Sequence, residues 1–170
     1  KKINFDINKF KKFQEKIIFL PLNEEPKNLK KFNNQDTNDK NSMILDNALI
    51  RENFQRNYLS KALKECSEND LIIISDIDEI PNLKNFKYEK KITIFKHKMF
   101  YYKFNLQYPN FLWTGSKICK KKDLVSPQWL RNIKSKAYPL WRLDILFSDT
   151  KYNDVKIIED NGGWHFTNIK

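Results

Sequence analysis

Residues 71–81 read LIIISDIDEIP. Four large apolar residues, three of them β-branched, run into three carboxylates, Asp76, Asp78 and Glu79, and Pro81 closes the run. A continuous apolar run of this length, preceded by the turn-forming pair Asn69-Asp70, predicts a buried central strand of an α/β sheet. Charge is costly in a core, so the carboxylates are expected just past the strand's carboxyl end. That edge is where open α/β sheets place their ligand crevices. Asp76 and Asp78 are two apart, and on extended chain they would point the same way. Like charges so placed repel unless a proton or a cation sits between them. A hard divalent ion, held by one or two carboxylates and shared with a diphosphate, answers that repulsion. A strand running into a solvated acidic turn is the competing reading, because Asp-x-Asp is short and common.

The bulk properties narrow the field. At 170 residues the chain reads as a single domain, 1–170, able to bury a core without staples. It is 40% hydrophobic and 14% aromatic, which excludes a disordered chain. No apolar run reaches transmembrane length, and the opening KKINFDINKF has no secretory core, so a cytoplasmic protein is expected. The net charge of +11 raises nucleic-acid binding, but the positive charge is nearly all scattered lysine. No specific nucleic-acid partner is expected. The arginines are Arg51, Arg56, Arg131 and Arg142; each is more informative than a lysine, because Arg holds phosphate or carboxylate bidentately. Cys66 and Cys119 form no CxxC pattern and read as reduced, structural thiols. Gly115, Gly162 and Gly163 are the only glycines, which excludes a P-loop and a GxGxxG turn.

Along the chain, Ile3 and Phe5 alternate, then a polar-aromatic turn carries Phe10 and Phe13, then IIFLPL follows; this reads as strand, short helix, strand. Residues 23–42 are polar and read as a surface loop. Residues 43–66 read as a helix capped by Asn41 or Ser42, with Glu52 and Arg56 as an i,i+4 pair. Pro81 to Phe86 reads as one helical turn. ITIFKHKMFYYKFNL reads as a long strand on which His97, between lysines, is an exposed position. Tyr108 to Ile118 reads as a turn and a strand, and SPQWLRN (126–132) as a short helix opened by Pro127. Residues 135–154 read as irregular. KIIEDNGGWHF then supplies a strand, a turn at 161–163, and the segment Trp164-His165-Phe166.

Taken together, KIIFLPL, ENFQRNYL, DLIIISDIDEIP, the aromatic strand ending at Asn105, FLWTGSK, WLRN and NGGWHF resemble glycosyltransferase family 17, the β-1,4-N-acetylglucosaminyltransferases. SDIDEIP with a downstream GGWHF is the specific combination. The resemblance implies a GT-A fold, a Rossmann-like α/β/α sandwich with a mixed sheet, and a DxD motif with Mn2+ or Mg2+. It implies a UDP-sugar donor, most simply UDP-N-acetylglucosamine, a glycan acceptor, and inversion at the transferred sugar. By it, Asp76, Asp78 and Glu79 are catalytic, and Asp76, Asp78 and His165 hold the metal. Arg56, Asn57, Trp113, Lys117, Arg131 and Trp164 are the donor- or acceptor-binding positions. The acceptor base is open among Asp144, Glu159 and Asp160. The family pattern begins with further strands upstream, so the chain is expected to lack part of the nucleotide-binding half. Two other classes stay in play: a haloacid-dehalogenase-like phosphohydrolase, with Asp76 as nucleophile, and a non-catalytic basic module that binds glycan or nucleic acid.

Overall fold

The computed structural model describes residues 6–31, 37–139 and 141–169, and the chain divides into two compact units, Lys1–Glu65 and Cys66–Lys170. Ile3 and Phe5, the expected first strand, lie outside the described residues.

In the N-terminal unit a 3-10 helix, Ile7–Lys16, is kinked at Phe10 and capped by Asp6, whose carboxylate accepts from Asn8 N at 3.0 Å. IIFLPL, expected as a strand, carries no strand. Instead Phe19, Leu20 and Pro21 share a cleft with Phe54 and Tyr58 of helix α1, Thr37–Tyr58. An apolar run can bury itself against a helix as well as in a sheet, and local pattern does not distinguish the two. α1 starts before the expected caps Asn41 and Ser42, so residues 37–42 of the expected loop are helical. The chain continues as a 3-10 helix, Leu59–Leu63. Buried Asn47 ties the preceding segment to α1: its amide oxygen accepts from Lys30 N at 2.8 Å and its NH2 donates to Lys30 O at 2.9 Å.

The C-terminal unit is built on a six-stranded mixed sheet: β1 Leu71–Ile74, β2 Glu79–Pro81, β3 Ile92–Tyr101, β4 Gln107–Lys120, β5 Val155–Ile158 and β6 Gly163–Thr167. The order is β1-β4-β3-β6-β2, with β5 also paired to β3. β4 is antiparallel to both β1 and β3; β5 and β6 run parallel to β3; β2 is antiparallel to β6. β5 covers the first half of β3 and β6 the second, so the turn at 161–163 steps the chain along one side of the same strand.

The central strand is therefore β3, not β1. Ile92, Ile94 and Phe95 are fully buried, whereas β1 is the margin of the described sheet and alternates: Ile72 and Ile74 are buried, Leu71 is 43% and Ile73 36% exposed. A uniformly apolar strand fits either place; pairing alone decides. The helical turn expected over Pro81–Phe86 is absent. Glu79–Pro81 is recruited by β6 as an outer strand, where a proline is tolerated, and a turn at Lys84-Asn85 follows with Asn85 at φ 61. Helix α2, Pro127–Asn132, appears as expected: the Ser126 hydroxyl accepts from Trp129 N at 3.1 Å, and Pro127 opens it. Residues 135–154 are largely irregular, with a short 3-10 turn at Leu143–Ile145. Cys66 and Cys119 are free, and burial pushes the Cys119 thiol up to about 12. The fold is mixed α/β with few helices.

Candidate functional site

The carboxylates do fall just past β1, but not on extended chain. Asp76 O accepts from Glu79 N at 3.0 Å, closing a turn over Asp76-Ile77-Asp78-Glu79 with Ile77 fully exposed at its tip. The turn sends the two aspartates to different partners. Asp76 Oδ2 accepts from Arg131 Nη2 at 2.9 Å. Asp78 Oδ2 lies 3.0 Å from His165 Nε2, and Asp78 O accepts from Phe166 N at 2.9 Å, which holds the turn against β6.

Glu79 is the hub. Its side chain has no exposed surface. One carboxylate oxygen accepts from Trp113 Nε1 at 2.8 Å and Arg131 Nη2 at 3.0 Å; the other accepts from Arg131 Nη1 at 2.9 Å and Asp76 N at 3.1 Å. A buried carboxylate persists as an ion only with such a set of donors, and the forked guanidinium is suited to supply two of them. Arg131 Nη1 also donates to Gly115 O at 2.9 Å. Glu79 thus acts through its neighbours: it fixes Arg131, the indole of Trp113 and the Asp76 turn.

His165 is buried on β6, opposite Glu79 in the β2–β6 register, and its ring stacks on Trp113 at 4.8 Å and 26°. His97, expected to be exposed, is fully buried. Neither ring nitrogen has a hydrogen-bond partner among the described residues. Burial brings its pKa down to about 4, with Glu79 opposing and His165 and Arg131 reinforcing the shift. Two glycines make room for it. A Cβ at Gly115 would lie 2.2 Å from His97 Nδ1, and one at Gly163, whose φ is +142, would lie 2.9 Å from His97 Cδ2. This is the part of the site that sequence reading missed. The available signal was Gly115 inside the strand segment Tyr108 to Ile118, a mark of close approach, whereas Gly163 read as part of the turn at 161–163.

The remaining expected residues are dispersed. Trp113 sits in the cluster, but Lys117 is turned to the end of α2. It is buried, and its ammonium donates to Arg131 O and, at 2.6 Å, to Ile133 O, the carbonyls at the end of α2. Burial, with Arg131 adding, lowers its pKa to about 7. Trp164 alternates with His165 and so stands on the other face of β6. Arg56 and Asn57 belong to the N-terminal unit, at the last turn of α1, where Arg56 pairs with Glu52 at 2.7 Å. Asp144 is exposed, and hydrogen bonds from Arg142 and Lys151 lower its pKa to about 2, which makes it a weak base. Glu159 and Asp160 are exposed on the turn before Gly163.

Of the residues expected to hold a metal, Asp78 and His165 are the two that the structure brings together, with Asp78 Oδ2 and His165 Nε2 in direct hydrogen-bond contact at 3.0 Å. Asp76 is turned to Arg131 instead. Among the described residues no group of three or more His, Cys, Asp or Glu side chains forms a metal cage. Among the described residues no helix is long and apolar enough to cross a membrane. The chain matches no protein-family model, and no curated protein and no solved structure matches it.

Proposed function

We propose that this protein is a metal-dependent inverting glycosyltransferase. It moves a sugar, N-acetylglucosamine by its resemblance to family 17, from a UDP-sugar to a glycan hydroxyl. The observation that carries the reading is a meeting of segments. SDIDEIP, FLWTGSK, WLRN and GGWHF are the pieces on which the resemblance rests. They contribute Asp76, Asp78 and Glu79, then Trp113, then Arg131, then His165 to one bonded cluster. A GT-A arrangement, with the donor diphosphate at the carboxyl end of β1, belongs to the same proposal.

In this reading Asp78 and His165 hold Mn2+ or Mg2+, which when bound offsets charge on the departing UDP. Arg131 pairs with both Asp76 and Glu79 and offsets one of their two charges, so the acidic turn carries less net charge toward an incoming diphosphate. Trp113, pinned at its Nε1 by Glu79, presents a fixed ring beside His165. The phosphohydrolase alternative needs Asp76 as a free nucleophile, and its ion pair with Arg131 weighs against that.

The test is calorimetric titration of UDP and UDP-N-acetylglucosamine into the protein with Mn2+ and with EDTA. Binding is expected with Mn2+ alone, and Asp78→Ala is expected to lose it while keeping a wild-type circular dichroism spectrum. Metal-dependent binding that survives in Asp78→Ala would sink the assignment.

A further inference from the structure

β3 and β4 pair Lys98 with Leu112 and then Phe100 with Gln107. Two residues of travel on β3 are matched by five on β4, so the four residues Tyr108–Phe111 stand opposite Met99 alone and bulge, with Asn110 at φ 57 turning them. The bulge and the end of β3 wall a cavity of about 620 Å3. Tyr101, Tyr102, Tyr108, Phe111 and Trp113 are its aromatic lining, and Gln107 adds an amide. The rings are set edge to face: Tyr101 to Tyr108 at 6.2 Å and 63°, Tyr108 to Phe111 at 5.8 Å and 79°. Tyr108 and Phe111 nonetheless stay 53% and 42% exposed.

We propose that this cleft is a pyranose-binding subsite for an oligosaccharide whose rings carry equatorial substituents. Such a ring offers a flat C–H face, which suits an aromatic wall, and a rim of hydroxyls, which suits tyrosine and glutamine tips. The volume lies in the range of small-ligand sites. The cleft is continuous with the cluster described above, because Trp113 both lines it and stacks on His165, whose partner is Asp78. Resting on the transferase reading, the cleft is the place where the acceptor glycan lies.

The experiment follows Trp fluorescence of the protein during titration with cellobiose and with N,N′-diacetylchitobiose. Wild type, Tyr108→Ala, Phe111→Ala and Phe111→Leu are compared, and sedimentation velocity is run on each. Saturable binding is expected, weakened about tenfold in each variant. Phe111→Leu keeps an apolar side chain and guards against loss of fold in the alanine variants. No saturable binding by wild type at the solubility limit of both sugars overturns the proposal. So does binding that all three variants retain, or a wild-type dimer that Phe111→Leu dissociates, which would give the cleft to a second copy of the chain. Titration of wild type with UDP and Mn2+ separates the two ideas. Sugar binding without UDP binding keeps the subsite and removes the transferase; UDP binding without sugar binding does the reverse.

Discussion

Arg131 is the residue on which the site's charges close. It forks onto buried Glu79, reaches Asp76 and donates to Gly115 O. Removing one partner of a buried pair strands the other, at a cost of about 3–5 kcal/mol. Arg131→Met is therefore expected to lower the denaturation midpoint severely, and Arg131→Lys to recover only part, because an ammonium lacks the fork; urea unfolding measures both. His97 gives a pH signature. Its folded pKa is about 4 against 6.5 for the free side chain. The unfolded chain therefore binds the extra proton between those values, so stability is intact above pH about 6.5 and falls as the pH drops toward about 4. A shift of this size amounts to roughly 3 kcal/mol. Thermal melts over that window should show the loss, and His97→Asn should flatten it; an unchanged profile would contradict the buried neutral imidazole.

At the scale of elements, two devices set the site. α2 is six residues long, too short to persist without its ends being tied. Ser126 caps one end, and buried Lys117 grips the carbonyls at the other. Ser126→Ala is expected to cost about 1 kcal/mol, read as a lowered melting temperature, and to loosen Arg131 enough to red-shift Trp emission. The second device is the close approach of β4 and β6 to β3 around His97. Gly115→Ala would drive a methyl group into the imidazole, and a forced shift of this kind typically costs about 1–3 kcal/mol. α2 was legible in the sequence because its cap, proline and apolar face are adjacent letters. The glycine cradle was not, because its two walls come from segments far apart in the chain. β1 shows the same limit: its apolar letters signalled a strand, but not that it would lie at the margin of the sheet.

For the whole molecule, the central strand governs where stability resides. β3 pairs with β4, β5 and β6 and, among the described residues, holds more of the fully buried side chains than any other element, while the N-terminal unit is a helix with a laid-on segment. Regions with many buried contacts open last. Amide hydrogen exchange should be slowest over Ile92–Met99 and the facing Thr114–Cys119, and fastest over the 3-10 helix Ile7–Lys16. Slow exchange centred on β1 instead would restore the reading in which Leu71–Ile74 is the core. The +11 charge did not help to place any element, since scattered lysine lies on the surface of any fold of this length.

The sequence by itself determined the local grammar: an apolar strand ending in Asp76, Asp78 and Glu79, a helix opened by Pro127, and a strand and turn leading to the segment that carries His165. Only the tertiary structure decided what those groups do. It buried Glu79 and left Asp78 beside His165, it gave Asp76 to Arg131, and it moved His97 from the surface to the centre. The reason is range. The decisive bonds join residues 34, 52 and 87 positions apart, whereas periodicity and capping report on neighbours within a few residues. Strand pairing, which no local pattern encodes, chose which carboxylate met a cation and which met a histidine.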